Sequence, residues 1–234
     1  MKNKRKSGFS LTEILFAVGI LAVGMIFIAG VFPVAIRFVT IAAERSIAAV
    51  AADEAFAKIK LYGVNPTKLW ADKLTPAPTF LTDPNIDPNE FFYPSTPVRY
   101  SEKQYYWTAL CRLAGSSEAQ VTVFVCRRVG TAVGPLPYSV GVSQASKPDE
   151  ISINIAAEKM FINDGYTIVD DATGYIYRVL ERYPDNPATP VFEDQIIRLD
   201  RYWLGGATGT IWVVPPTVGG RYPCVAVYQK VIRF

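Results

Sequence analysis

A run of apolar residues from Ile14 to Ile36, with no charged side chain until Arg37, constrains this chain more than any other feature in it. The run is about 23 residues long, roughly 34 Å as a helix, which is enough to cross the hydrocarbon core of a bilayer. Inside such a core every backbone amide must bond within its own segment, so a helix is the conformation left to it. Lys2, Lys4, Arg5 and Lys6 precede the run as a short basic head. Basic residues beside a span stay cytoplasmic, which predicts that the long C-terminal part lies on the other side.

Between head and run stands Gly8-Phe9-Ser10-Leu11-Thr12-Glu13. Glu13 needs a reason, because a carboxylate at the centre of a membrane helix costs on the order of 2.5 to 3.5 kcal/mol. Headgroup depth and the positive N-terminal end of the helix offer one, since both favour a negative charge. The surrounding residues offer another. Gly-Phe-Ser-Leu-Thr-Glu, after a basic leader and before a long apolar helix, resembles the processing site of type IV pilins and of the pseudopilins of type II secretion. The resemblance covers roughly residues 1–55 and is most specific at Gly8, Phe9 and Glu13.

That resemblance implies a prepilin peptidase that cuts after Gly8 and methylates the new N-terminus on Phe9. It implies that Glu13 meets the N-terminal amine of a neighbouring subunit during filament assembly. The physics agrees, because an ammonium and a carboxylate are each expensive in lipid and become tolerable as a pair. Ile20-Leu21-Ala22-Val23-Gly24-Met25 further resembles the V-type minor pilins and the I-type minor pseudopilins. The partners implied are the peptidase, other pilin or pseudopilin subunits, an inner-membrane assembly platform and the lipid bilayer. The implied location is the bacterial inner membrane, single-pass, with the N-terminus cytoplasmic before processing and the C-terminal domain periplasmic. A conventional signal peptide fits worse, since it predicts an apolar core of about 7 to 15 residues followed by a small-x-small site.

Composition removes several functions. The net charge of +3 is carried by the head: without residues 1–8 the chain has 20 basic against 21 acidic side chains, or −1. A near-neutral domain lacks the electrostatic footprint of a nucleic-acid binder, so none is expected as a partner. The absence of histidine takes away the commonest general base and the commonest metal ligand. No Gly-x-Ser-x-Gly, phosphate loop or cysteine metal pattern replaces it, so the expectation is a protein that is not an enzyme.

Beyond Pro33 the apolar pattern becomes amphipathic, with Ile47, Ala51, Ala55, Ile59 and Tyr62 on one face and Glu44, Arg45, Asp53 and Lys58 opposite. The expectation is one helix over 9–62, membrane-spanning at about 14–36, amphipathic over 37–62 and kinked at Pro33. Gly63 and Asn65-Pro66 end it. A proline-rich connection over 63–98 reads as irregular. Within it Asp83-Pro84-Asn85-Ile86-Asp87-Pro88-Asn89-Glu90 starts like an EF-hand loop, but Pro88 and Pro94 stand where glycine and glutamate are required.

Residues 99–234 read as β-rich, giving an α+β fold in which a long helix packs on an antiparallel sheet domain. Tyr105–Leu113 and Val121–Arg127 flank Gly115-Ser116-Ser117-Glu118 as a hairpin. That turn sets Cys111 opposite about position 122 and Cys126 opposite about position 107, too far apart to bridge. Buried thiols are expected, with a bond to Cys224 left open. Arg127-Arg128 reads as a solvated strand end. Tyr138–Val142, Ile151–Ile155, Tyr166–Val169, Tyr175–Leu180, Val191–Trp203, Ile211–Val214 and Cys224–Ile232 read as further strands. Asp170-Asp171-Ala172-Thr173-Gly174 is a hairpin turn.

No cofactor is expected, and the only calcium candidates are Asp164, Asp170 and Asp171, which turn chemistry also explains. Tyr105, Tyr106, Trp107, Tyr202, Trp203 and Trp212 read as core rather than as a sugar- or partner-binding stripe. The functional expectation is a minor pilin or pseudopilin of a type II secretion pseudopilus or type IV pilus. The alternative is a membrane-anchored periplasmic β-domain that never polymerises and binds an envelope partner or ligand.

Overall fold

The computed structural model describes residues 8–63, 79–80, 88–94, 104–114, 118–128, 136–183, 195–216 and 222–233. The basic head, residues 83–87 of the EF-like stretch and residues 115–117 of the expected hairpin turn lie outside them. The chain divides into two compact units, Met1–Glu44 and Arg45–Phe234. One helix, α1 (Leu11–Lys58), contributes to both, and a π-helical turn, Ile59–Gly63, follows it. Pro33 lies inside α1 without ending it.

In the first unit α1 is exposed on every side through Thr40. In the second it buries Ala48, Ala51, Ala52, Ala55, Phe56 and Ile59. The expected stripe holds at Ala51, Ala55 and Ile59 but not at Ile47, which stays 37% exposed while Ala48 and Ala52 are buried beside it. Side-chain size explains the correction. The sheet beneath presents Trp107, Val121, Val123 and Val125, and an alanine face lets the helix approach them closely. Lys58, expected on the solvent face, instead bonds Glu54 Oε1 at 2.9 Å and Glu90 Oε2 at 2.8 Å.

The sheet is antiparallel and five-stranded: β1 (Thr79–Phe80), β2 (Phe92–Tyr93), β3 (Tyr105–Leu113), β4 (Glu118–Arg127) and β11 (Cys224–Arg233). β1 and β2 both pair with β3, so the proline-rich connection contributes two short strands and is not wholly irregular. Phe92 anchors the second of them, only 3% exposed. The β3–β4 turn is set one residue tighter than expected, because the Ala114 amide donates to the Glu118 carbonyl at 2.9 Å and so pairs these two residues. The register shifts accordingly to Cys111↔Val121 and Tyr106↔Cys126.

Between β4 and β11, which are neighbours in that sheet, the chain builds a second structure. β5 (Tyr138–Gln144), β6 (Glu150–Ile153), β7 (Thr167–Asp170), β8 (Ile176–Arg182), β9 (Ile196–Leu199) and β10 (Thr208–Val213) close into a barrel in the order β10-β5-β6-β9-β8-β7. Closure is made by β10 on β7, with Ile211 opposite Asp170. Alternating inward residues such as Val140, Val142, Ile151, Ile153, Tyr177 and Ile211 fill it, as in small barrels generally.

The sheet is thus covered on both faces. Trp107, Ala109, Val121, Val123 and Val125 meet the alanine face of α1. Tyr106, Leu110, Phe124 and Cys126 meet Val169 and Val214 on the barrel side. Turn glycines set the barrel loops. Gly174, at φ 74°, closes the β7–β8 turn, and a Cβ there would also strike the Gln120 side chain at 2.8 Å. A Cβ on Gly205 would lie 2.2 Å from the Trp203 ring, whose Nε1 donates to the Gly206 carbonyl.

Candidate functional site

Helix α1 starts at a cap that the sequence spells out. Ser10 is the N-cap residue: its carbonyl accepts from the Glu13 amide at 3.1 Å and the Ile14 amide at 3.2 Å. Its hydroxyl shares a 2.7 Å hydrogen bond with that of Thr12. Ser10 and Glu13 have the Ser-x-x-Glu spacing of a capping box, but the Ser10 hydroxyl turns to Thr12 and the reciprocal side-chain bonds of that motif are not formed. Glu13 falls in the first helical turn, where unbonded amides favour an anion. Among the described residues no ion pair or hydrogen bond engages its carboxylate.

Gly8 is exposed, and a methyl group on it would meet nothing within 4 Å. Its backbone is not in the left-handed region either. The described fold does not ask for glycine there, so any requirement comes from outside it. Phe9 is 81% exposed.

Every described residue from Gly8 to Thr40 is exposed, Leu15, Phe16, Phe27 and Phe32 among them. Each such side chain gains about 1.5 to 3 kcal/mol on leaving water, so the run as a whole stands to gain tens of kcal/mol. Added Cβ atoms on Gly19, Gly24 and Gly30 would also meet nothing, leaving those positions open to a close neighbour. Among the described residues this is the one helix long and apolar enough to cross a membrane.

The calcium candidates do not come together. Asp170 is buried and accepts from the Thr173 amide at 2.9 Å, the Thr173 hydroxyl and the Ala172 amide. Asp171 accepts from Trp212 Nε1 at 2.6 Å, and Asp164 accepts from the Arg182 amide at 2.7 Å. Asp170 is committed to its own turn, Asp171 to a partner on β10 and Asp164 to one on β8. Among the described residues no three His, Cys, Asp or Glu side chains are grouped as a metal would need. The EF-like stretch falls mostly outside the described residues.

The three thiols are all buried and free. Cys111 faces α1 while Cys126 faces the barrel, so the expected separation of these two stands. What spacing did not reveal is that Cys224 lies directly opposite Cys126 across β11 and β4. Burial pushes the Cys111 and Cys126 thiols up, the Cys224 thiol adding to the second. Of the aromatics, Tyr105, Tyr106, Trp107 and Trp203 are core, Trp212 is half-buried, and Tyr202 is exposed. Arg127 and Arg128 are not a solvated end. Arg127 Nη1 donates to the Tyr222 carbonyl at 3.0 Å, and Arg128 lies over the Phe92 ring.

Two polar clusters complete the domain. Arg112 donates to the carbonyls of Ala172 at 2.5 Å and Thr173 at 2.6 Å, and also bonds Gln120, clamping the β7–β8 turn to β3. Glu150 is buried and accepts from Lys147 Nζ at 2.6 Å and the Tyr183 hydroxyl at 2.7 Å. Burial alone would raise its carboxyl, but these two donors outweigh it and hold it below the ordinary range.

Residues 3–29 match the family model of the prokaryotic N-terminal methylation motif. The chain carries that motif. The match includes Gly8, Phe9 and Glu13 and supports a protein of the type IV pilin and pseudopilin family. With the single apolar helix, it supports membrane anchoring as a single-pass protein. No curated protein and no solved structure matches the chain.

Proposed function

We propose that this chain is a minor subunit of a type II secretion pseudopilus or a type IV pilus. Its role is structural rather than catalytic. One observation carries the reading: a carboxylate without a partner among the described residues, at Glu13, opens a helix that is exposed on every side through Thr40 and stands just after the Gly8-Phe9 bond. A monomeric anchor gives a charge in that place only the preference of the first helical turn, whereas a filament also gives it a cation. In a filament each part finds its use. Prepilin peptidase cuts after Gly8 and methylates Phe9, leaving an N-terminal ammonium. Lipid holds the helix in the inner membrane with the domain periplasmic. The assembly platform then draws the helix out, neighbouring helices replace the lipid, and Glu13 of one subunit receives the ammonium of another.

Mass spectrometry of the chain recovered from its own cells tests the processing. The expected product begins at a methylated Phe9; an intact leader would favour the non-polymerising anchor. Glu13→Ala tests assembly, and it should leave membrane insertion intact while removing the subunit from sheared filaments. Undiminished incorporation would end the pairing role.

A further inference from the structure

The described strands leave one long edge open. The barrel closes on itself, and closure removes edges. In the five-stranded sheet the outer side of β3 is taken at both ends by β1 and β2, leaving only residues 107–109 between them. β11 ends the other side of that sheet. It is 10 residues long, pairs with β4, and among the described residues has no strand beyond it. Exposure agrees: Val121, Val123 and Val125 of β4 are fully buried, whereas every residue from Val225 to Val231 is half-buried or exposed, Val231 at 53%.

The ladder tells which backbone groups point outward. The Arg127 amide donates to the Pro223 carbonyl at 2.8 Å, so that pair is hydrogen-bonded. Bonded and non-bonded pairs alternate along an antiparallel ladder. Counting from there, Val125, Val123 and Val121 bond to β11, whereas Phe124, Thr122 and Gln120 face non-bonded partners. The opposite side of β4 confirms the phase, because the Glu118 carbonyl accepts from Ala114 and the Arg128 amide donates to Gln104 on the β3 side. The partners of Phe124, Thr122 and Gln120 are Val227, Gln229 and Val231. Their N–H and C=O groups therefore point away from β4, and among the described residues no backbone bond engages them.

We propose that β11 is a strand-pairing surface on which a second copy of this chain adds its own β11, antiparallel, about a two-fold axis at Gln229. An added strand must come from an open edge of similar length, and among the described residues that edge is β11 itself. Two like edges meet with two-fold symmetry. The axis at Gln229 sets Val227 of one copy against Val231 of the other and Lys230 against Tyr228. An axis at Lys230 would instead set two like charges face to face, which antiparallel pairs disfavour. Charge is the usual protection of an edge strand, and here it is answered within the chain. Lys230 lies over the Phe56 ring, and Arg233 bonds Glu118 at 2.6 Å. The contact lies in the domain, so it needs neither cleavage after Gly8 nor Glu13.

Sedimentation of the full-length chain in detergent is the test. The expected protein mass per particle is twice that of one chain, falling to a single chain on dilution. Val231→Pro removes an outward amide but no bond to β4, and edge strands tolerate proline there. It should be a single chain at every concentration, with the circular dichroism of the wild type. A wild-type chain that stays single at every concentration would overturn the proposal. So would a Val231→Pro chain that still pairs, because the association would then lie in the exposed helix. Backbone amide exchange on the wild type gives a second answer that needs no variant. The amides of Val227, Gln229 and Val231 should exchange more slowly as the chain is concentrated, while those of Tyr228 and Lys230 keep one rate. Rates at Val227, Gln229 and Val231 that ignore concentration would overturn the proposal even if the chain sediments as a pair.

Discussion

Between Gly8 and Thr40 the chain exposes every residue, whereas between Ala48 and Ile59 the same helix buries an alanine-rich stripe. Apolar content does not separate the two stretches; the distribution of bulk does. The first carries Leu, Ile, Val and Phe all round its circumference, the pattern of a helix meant for an apolar solvent. The second confines charge to one side and small residues to the other, which suits close approach to a sheet. The contrast extends to polar groups. Glu13 lacks a partner among the described residues, whereas Glu150, Asp170 and Arg112 each find theirs within the domain. One region completes itself; the other, among the described residues, does not.

The strongest way to break that comparison is to delete a phenylalanine from each region. Phe124 is 0% exposed between sheet and barrel, so Phe124→Ala should cost about 3 to 5 kcal/mol. At roughly 2 to 4 °C per kcal/mol for a domain of this size, the melting temperature should fall by about 6 to 20 °C. Phe27→Ala, in detergent, should leave the domain's transition where it was. Similar losses from both would mean that the exposed helix supports the domain's stability after all.

A smaller effect sharpens the comparison from the polar side. Arg112 reaches four backbone or amide oxygens, three of them on the β7–β8 turn. Truncation to alanine leaves those acceptors without their cation, at a cost of about 1 to 3 kcal/mol. Urea unfolding should show the lower midpoint with an unchanged slope. A wild-type midpoint would show that the clamp is ornamental.

How far the sequence led follows the same division. The apolar run, the Gly8 to Glu13 segment and the alternating strands were legible because each signal is local. The barrel was not. Its closure joins Ile211 to Asp170 across a long stretch of chain, and such pairings depend on complementarity between distant strands rather than on local pattern. One clue was present: Val121-Thr122-Val123-Phe124-Val125-Cys126 does not alternate polar with apolar, as expected of a strand covered on both faces. The single-residue slip at Ala114 and the exposure of Ile47 have a common cause, since turn length and side-chain volume decide register within the limits that periodicity allows.

The smallest effect concerns two glutamates of opposite circumstance, Glu150 and Glu13. The donors Lys147 and Tyr183 hold the Glu150 carboxyl below its ordinary pKa in the folded state. A depressed carboxylate contributes stability that is fully present above its unfolded pKa, near 4.3, and lost as pH falls through the folded value. The pair is partly solvated through exposed Lys147, so its worth is small. Glu150→Gln should therefore lower the domain's melting temperature slightly at pH 6 and converge with wild type in strong acid. Glu13→Gln should leave that curve unchanged at every pH, because nothing described in the chain answers its charge. A shift of the domain's acid transition by Glu13→Gln would mean that the chain supplies the missing partner itself, and the division between the two regions would fail at the residue on which it most depends.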